Sequence, residues 1–171
     1  EGSFDYDYDQ LGAKLRPDVL CVLSVHLFGI AADTVRLRDM CRGTGIVVVE
    51  DAAQAMGGTV QGRLLGTLGD VAVFSLGRGK NLTSGSGGLV LTSNTEISSA
   101  LTTVESEVSE VRAADDVATF GTLLTHSVLL SPILYWFPAS LPFLRLGETI
   151  FHEDFPIRRL SDFQALLLKD W

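Results

Sequence analysis

The sequence predicts an α/β fold with a mostly parallel sheet and flanking helices. Residues 19–25 and 46–49 are short, continuous apolar runs rich in β-branched residues, and the segment between them has helical spacing. Runs of this kind indicate strands that are buried on both faces. A strand, a helix and a strand within about thirty residues form a unit whose strands are parallel and whose connection is right-handed.

Short helices are expected before and between these two strands. The segment 11–15 has the composition of a short helix, and Pro17 ends it. Asp33 is a good N-cap, and the apolar spacing after it predicts a helix that runs to about Arg42.

The sheet continues after a glycine-rich excursion. The glycines between residues 55 and 70 separate short polar and apolar pieces, which indicates a small hairpin around residues 61–62. Residues 71–74 and 89–91 are then predicted as a third and a fourth strand.

Helices dominate the rest of the chain. Ser93 and Glu96 have the spacing of a capping box, and the apolar residues between 97 and 111 repeat at alternating intervals of four and three. This pattern predicts an amphipathic helix of about five turns. A polar break is expected at 113–120, and Ser161 is a candidate cap for a last helix.

One apolar segment, 123–146, approaches the length of a membrane-spanning helix. A span needs about 20 apolar residues, but this segment contains three prolines, which would break a helix that faces lipid. A buried or subunit-facing helical hairpin is therefore favoured over membrane contact.

Composition limits the classes of protein that remain. The 171 residues carry a formal charge of −8, which argues against nucleic-acid binding because a phosphate backbone requires a basic surface. Cys21 and Cys41 both lie in apolar surroundings and are interpreted as buried thiols, which favours a reducing, cytoplasmic location. The chain starts without Met and ends after an apolar run, so we expect a fragment. We expect it to consist of a sheet-bearing part, 1–112, and a helical apolar extension, 113–171.

Polar residues follow two of the predicted strands directly. Asp51 and Ser75 come at the carboxyl ends of strands, where open α/β sheets bind ligands, and Lys80 follows on a loop with glycines on either side of Arg78. A lysine in such a loop can bind a phosphate, form a Schiff base or simply face solvent. Asp51 and Ser75 can also be ordinary turn formers, and Gln54 can cap a helix.

The spacing of these residues excludes several ligands. A P-loop would need glycine at Phe74, and a dinucleotide fingerprint would need glycine at Leu82. The cysteines and histidines have no zinc-ligand spacing. Pyridoxal 5′-phosphate (PLP) fits better, since it needs an amine for its aldehyde, an acid for its pyridine nitrogen and donors for its phosphate.

The order and spacing of the motifs resemble the DegT/DnrJ/EryC1/StrS family of PLP-dependent sugar aminotransferases. The resemblance is specific between residues 18 and 95 and weak between 113 and 154. The motifs that carry it are Val25-His26-Leu27-Phe28-Gly29, Glu50-Asp51-Ala52-Ala53-Gln54-Ala55, Gly66-Thr67-Leu68-Gly69-Asp70, Phe74-Ser75, Lys80-Asn81-Leu82 and Gly87-Gly88. A fainter match follows at Arg159-Leu160-Ser161-Asp162-Phe163-Gln164.

The resemblance implies part of the large domain of a fold type I PLP enzyme, as in the aspartate aminotransferase superfamily. It implies that Lys80 holds the cofactor as an imine and shuttles protons, and that Asp51 pairs with the pyridinium nitrogen. It further implies that Gln54 contacts the cofactor ring and its phenolic oxygen, and that Ser75 binds the phosphate. The implied partners are an amino donor, expected to be glutamate, a nucleotide-linked keto-sugar, and a second copy in a homodimer.

Departures from the family pattern leave alternatives open. Met56 stands where the family usually has His, and Ile157 stands where it usually has an Asn that reaches the neighbouring subunit's cofactor phosphate. Arg78 replaces an apolar residue or proline and is a candidate for a phosphate or substrate contact, while His26 is either functional or structural. Another fold type I reaction, such as a dehydratase or lyase, and a non-catalytic PLP-binding relative remain as rival functions, although Lys80 argues against the dehydratases that use His.

Overall fold

A computed structural model describes residues 4–109, 111–129, 131, 133–136, 140–141 and 157–169. The chain divides into two compact units, Glu1–Ser106 and Glu107–Trp171. The strands are β1 (Cys21–Val25), β2 (Val47–Asp51), β3 (Thr59–Val60), β4 (Arg63–Leu64), β5 (Val71–Ser75) and β6 (Gly88–Thr92). The helices are α1 (Tyr8–Gly12), α2 (Thr34–Cys41), α3 (Thr95–Glu107), α4 (Ala113–Leu129) and α5 (Asp162–Leu168).

The first unit is built on a four-stranded sheet in the order β1-β2-β5-β6. β1, β2 and β5 are parallel to one another, and β6 runs antiparallel to β5. The predicted α/β fold with a mostly parallel sheet is therefore confirmed, with the strands in the predicted places.

Among the described residues, one face of this sheet is more deeply buried than the other. Val22 and Val48 pack with residues of α2, and the segment that carries β3 and β4 packs against Ala72 and Phe74. On the other face Leu23 is 42% exposed. The expectation of burial on both faces is thus wrong for β1, whereas the residues of β2 on this face are half-buried. The apolar runs do not reveal which side of a strand is covered.

The two cysteines differ in the same way. Cys41, on α2, is buried, whereas Cys21, on the open face of β1, is exposed, and both are free thiols. The prediction of two buried thiols is correct for Cys41 and wrong for Cys21.

Capping side chains decide where the first helices begin. α1 begins at Tyr8 rather than near residue 11, because the Asp7 carboxylate accepts from the backbone N–H of Gln10. α2 begins after Asp33 as predicted, and its carboxylate accepts from the N–H of Arg36.

The glycine-rich excursion forms the predicted hairpin. β3 and β4 pair antiparallel, and the two residues between them, Gln61 and Gly62, have φ values of 50° and 76°. Two consecutive positive φ angles match the twist of the flanking strands, which is the usual geometry of a two-residue hairpin.

α3 begins one residue later than the capping-box pattern predicts. The side chain of Asn94, and not that of Ser93, accepts from the N–H groups of Glu96 and Ile97, at 2.8 and 3.2 Å. The helix ends at Glu107, earlier than the apolar repeat suggests.

In the second unit, the expected polar break at 113–120 is instead the first half of α4. Two acidic residues occupy its first turn, where a helix favours negative charge, and one of them, Asp115, pairs with Arg158 at 2.7 Å. α5 has the predicted cap, a reciprocal capping box between Ser161 and Gln164.

The predicted apolar hairpin is only partly covered by the structure. α4 accounts for the segment as far as Leu129, while residues 130, 132, 137–139 and 142–146 lie outside the described residues. In the part of the chain that the structure describes, no helix has both the length and the apolar character that crossing a membrane requires.

Candidate cofactor site

Two of the predicted site residues lie at the carboxyl edge of the sheet. Asp51 ends β2 and Ser75 ends the neighbouring parallel strand β5. Asp51 pairs with Val73, so Ser75, two residues further on, lies on the same face. Strand spacing and rise place the two Cα atoms about 8 Å apart. A carboxylate and a hydroxyl thus meet at the edge where open α/β sheets bind ligands.

Backbone N–H groups hold three of the predicted side chains in place. Asp51 Oδ1 and Ser75 Oγ each accept from the N–H two residues later, at 3.1 and 3.3 Å. Gln54 Oε1 accepts from the N–H of Phe28 at 2.9 Å, although Gln54 is otherwise exposed. Each of these side chains is therefore oriented by one hydrogen bond, which a side-chain oxygen accepts.

These contacts determine what each side chain can offer to a ligand. Because the N–H of Phe28 is a donor, the Gln54 atom that faces it is the amide oxygen, and the NH₂ group points away from it. Ser75 keeps its own hydroxyl proton to donate, and Asp51 keeps its second oxygen as an acceptor. These remaining groups have no other hydrogen-bond partner among the residues that the structure describes.

Lys80 lies on the loop between β5 and β6, which folds back on itself. The N–H of Leu76 donates to the carbonyl of Gly87 at 2.9 Å. The side chain of Asn81 donates to the carbonyl of Met56 at 3.0 Å, which ties the loop to the segment that follows β2. Lys80 is half-buried, and its ammonium group has no hydrogen bond or ion pair with any described residue.

A second polar cluster lies on the opposite, packed face of β2. Glu50 is fully buried, and its Oε2 accepts from Nε2 of His26 at 2.9 Å and from the N–H of Gly66 at 2.8 Å. Its Oε1 accepts from the N–H groups of Leu68 and Gly69, both at 2.6 Å. A carboxylate offers about four lone-pair sites, and here each oxygen receives two donors.

His26 is buried as well, and all its hydrogen-bonding groups have partners. Its Nδ1 accepts from the N–H of Ala32 at 3.2 Å, and its backbone N–H donates to the carbonyl of Asp51 at 3.0 Å. Because Nδ1 is an acceptor, the hydrogen bonds assign the proton to Nε2, which donates to Glu50. These contacts support the structural interpretation of His26.

The charge of Glu50 is stabilised by its donors. Burial raises the pKa of the Glu50 carboxyl, but the hydrogen bonds from His26 and from the backbone N–H groups of Gly69, Gly66 and Leu68 lower it more, so the net shift is downward. The buried carboxylate is therefore held in its ionised form.

Sequence reasoning assigned no role to Glu50. The signal for it was the alternation of the strand, because Glu50 lies two residues after Val48 and so points to the same packed face. A carboxylate at such a position requires donors, and the glycine-rich segment 66–69 is the nearest source of free backbone N–H groups.

Three other residues singled out from the sequence have less defined roles. Arg78 is exposed on the Lys80 loop, and Met56 is half-buried, with its backbone carbonyl accepting from Asn81. Ile157 belongs to the second unit and is 77% exposed.

The groups left available fit the chemical demands of PLP. The cofactor needs an amine to bind its aldehyde, an acceptor for its protonated pyridine nitrogen, and donors for its phenolic and phosphate oxygens. As far as the described residues show, Lys80 offers an amine without a hydrogen-bond partner and Asp51 a carboxylate oxygen without one, while Gln54 and Ser75 offer an NH₂ and a hydroxyl donor. An α/β domain with such groups at the carboxyl edge of its sheet is typical of ligand-binding α/β proteins.

The chain belongs to the DegT/DnrJ/EryC1/StrS aminotransferase family, whose model matches residues 2–124. It is 39% identical over 95 residues to the GDP-perosamine synthase of Vibrio cholerae, covering 56% of this chain and 26% of that protein. It is 40% identical over 88 residues to the L-glutamine:2-deoxy-scyllo-inosose aminotransferase of Streptomyces kanamyceticus, covering 52% of this chain and 21% of that protein.

Solved structures agree with the family assignment. A Streptococcus pneumoniae protein described as a sugar aminotransferase, solved in its PLP form, superimposes with a TM-score of 0.52 at 27% identity, covering 59% of this chain and 30% of that chain. The chain spans about a quarter of the length of the relatives that it matches.

Proposed function

We propose that the chain is part of a PLP-dependent aminotransferase that transfers an amino group to a nucleotide-linked keto-sugar. The product would serve the synthesis of a surface polysaccharide or a glycoside. The names of three relatives support this substrate class, since they carry GDP-, UDP- and dTDP-linked sugars. The Streptomyces relative is named for 2-deoxy-scyllo-inosose, a cyclic ketone without a nucleotide, so a free cyclic ketone is the second candidate acceptor. Glutamate is the proposed amino donor, and glutamine, which is named for the Streptomyces relative, is the second candidate.

The observation that carries the proposal is the orientation of the edge side chains. A backbone N–H group donates to one oxygen of each of Asp51, Gln54 and Ser75. The second oxygen of Asp51 can still accept a hydrogen bond from a ligand, and the Gln54 NH₂ and the Ser75 hydroxyl can still donate one. Lys80 follows on the loop after β5, and its amine has no hydrogen bond or ion pair with any residue that the structure describes. A surface turn would not require this complementary set of one acceptor and two donors.

PLP, when bound, supplies an electron sink that lets an amino group leave one substrate and join another. Asp51 would hold the proton on the pyridine nitrogen, because the negative carboxylate stabilises the positively charged pyridinium. The Gln54 NH₂ would donate to the phenolic oxygen, and the Ser75 hydroxyl would donate to the phosphate. Lys80 would bind the cofactor and, once released from it, move the proton between the carbon atoms that react.

The proposal includes a homodimer and a cytoplasmic location. In the family, the sites are built at a dimer interface, so a second copy would complete the phosphate and substrate contacts. Ile157 stands in place of the family Asn that reaches the neighbouring subunit's phosphate. The phosphate contacts from a second copy are therefore the part of the site that differs most from the family pattern.

The proposal is tested on the intact protein that contains this chain. After incubation with PLP, we expect a visible absorption band from lysine-bound cofactor, and we expect glutamate or glutamine to bleach it. A band that persists with both donors would favour another fold type I reaction or a non-catalytic relative. A protein that forms no band would contradict PLP binding altogether.

A further inference from the structure

The loop between β1 and α2, residues 26–32, is closed around the ring of His26. The N–H of Ala32 donates to Nδ1 of His26 at 3.2 Å, and the N–H of Gly29 donates to the His26 carbonyl, also at 3.2 Å. The buried Glu50 carboxylate fixes the other side of the ring. The ring and its carboxylate therefore set the path of this loop.

Within the loop, Phe28 has an unusual backbone conformation. Its φ and ψ angles are 54° and 25°, in the left-handed region that a bulky residue rarely adopts. Its side chain is 74% exposed, so packing of the ring does not explain the strain. Strain of this kind persists where the surroundings impose it and is often found at functional sites.

The consequence of this conformation is a contact with the candidate site. The N–H of Phe28 points at Oε1 of Gln54 and donates to it at 2.9 Å. The contact fixes which end of the exposed Gln54 amide remains available, and that end is the NH₂ donor.

We propose that His26 is a positioning residue for Gln54. The His26 ring closes the 26–32 loop and so holds the Phe28 N–H against the Gln54 amide oxygen. The Gln54 NH₂ group is thereby turned towards an acceptor oxygen of the bound cofactor. This inference rests on the proposed function. His26 itself faces the packed side of the sheet and acts only through the loop.

Two amide substitutions of His26 separate positioning from simple stability. His26→Asn places an oxygen near the position of Nδ1, so the Ala32 N–H keeps an acceptor and the loop stays closed. His26→Gln reaches towards the position of Nε2, so it keeps a donor for Glu50 but leaves the Ala32 N–H without an acceptor. If the role of His26 is purely structural, both variants should have a lower unfolding temperature than the original protein, and their affinities for the cofactor should not differ from each other.

The readout is the affinity of the intact apo-protein for PLP, followed by absorbance, with the unfolding temperature of each apo variant measured beside it. Gln54→Ala and His26→Gln are each expected to weaken binding about five- to tenfold, which corresponds to one hydrogen bond. The double variant is expected to bind no more weakly than either single variant, because both remove the same contact. His26→Asn is expected to stay within about twofold of the original protein, since its loop remains closed.

Several results would overturn the inference while leaving the proposed function intact. These are unchanged affinity in His26→Gln, equal losses in the Asn and Gln variants, or additive losses in the double variant. If the His26 variants do not fold, Gln54→Glu replaces them at an exposed position. It keeps an acceptor for Phe28 but presents a second oxygen to the ligand, so it should bind PLP more weakly than Gln54→Ala, and affinity equal to the original protein would overturn the inference. Failure of the original protein to bind PLP would contradict the proposed function itself, and the inference with it.

Discussion

The Nε2 of His26 and the Oε2 of Glu50 form a hydrogen bond of 2.9 Å between two fully buried side chains. Glu50 immediately precedes Asp51, and the His26 backbone N–H donates to the Asp51 carbonyl at 3.0 Å. The pair thus joins the packed interior of the sheet to the edge that carries the candidate site. Since a buried charge without partners is strongly unfavourable, the pair commits the surrounding segments to one arrangement.

Glu50→Gln is expected to destabilise the intact protein by about 2–4 kcal/mol at neutral pH. A glutamine has one acceptor oxygen, so its NH₂ group must face two donors wherever it is placed. Chemical denaturation measures the loss. Glu96→Gln, on the exposed first turn of α3, is the control; it removes only a charge that the helix N-terminus favours and should cost less than about 1 kcal/mol.

The effect of Glu50 on stability should depend on pH. The net pKa of the folded carboxyl lies below its usual value, so the unfolded chain binds more protons between the folded and unfolded pKa values. The stabilisation is therefore complete above about pH 4.3 and is lost as pH falls through the folded pKa. We expect the stability gap between the original protein and Glu50→Gln to narrow below that pH, and a constant gap would show that the charge is not responsible.

Gly66→Ala should be more damaging than a glycine substitution at an open position. Gly66 has a φ of +87°, and a Cβ atom there would collide with the ring of Phe74. Gly57 has a similar φ of +81° but nothing within 4 Å of the added atom, so Gly57→Ala isolates the backbone strain of about 1–2 kcal/mol. Gly66→Ala should reduce the free energy of unfolding by about 1–3 kcal/mol more than Gly57→Ala does. Thermal or chemical unfolding measures the difference, and equal losses in the two variants would contradict the packing seen at Phe74.

Asn94 and Ser93 provide a test of the helix cap. Asn94→Ala removes the side chain that accepts from the first N–H groups of α3 and should reduce stability by about 1 kcal/mol. Ser93→Ala should be nearly neutral, although the sequence pattern favours Ser93. Denaturation curves of the two variants decide the point, and a larger loss at Ser93 would contradict the observed cap.

Arg78 is expected to contact a phosphate of the cofactor or of the nucleotide-linked substrate. It is exposed on the Lys80 loop, where a guanidinium can approach an anion at little cost. Arg78→Ala should then weaken the binding of one of these ligands about tenfold without changing the unfolding temperature. Titration of the intact protein with PLP and with nucleotide sugars measures both affinities, and unchanged values for both would exclude the contact.

Local patterns in the sequence predict most of the sheet and several caps. β-branched runs located the four main strands, and Asp33 and Ser161 located two helix starts, because these signals act over a few residues. The open face of the sheet was not predictable, since Leu23 and Cys21 are as apolar as buried residues. The first half of α4 was missed because its polar residues were interpreted as a break, although the two acidic residues in its first turn are a local signal for a helix start.

The candidate site shows the same division. The sequence predicted the places of Asp51, Ser75 and Lys80 because strand ends and glycine loops are visible in it, and their role in binding stays a prediction. The Phe28–Gln54 contact and the donors of Glu50 were not found, because they depend on a left-handed residue and on segments brought together by folding. Sequence patterns identify groups that can react, whereas their orientation is a property of the fold.

Borohydride reduction of the intact protein in the presence of PLP tests the central claim most directly. The chain has three lysines, Lys14, Lys80 and Lys169, and reduction fixes the cofactor to whichever lysine binds it. Peptide mass mapping is expected to find the cofactor on Lys80 alone among these three, and Lys80→Met should abolish the visible band. A label on Lys14 or Lys169 instead, or a band that survives in Lys80→Met, would contradict the assignment of Lys80 as the cofactor lysine.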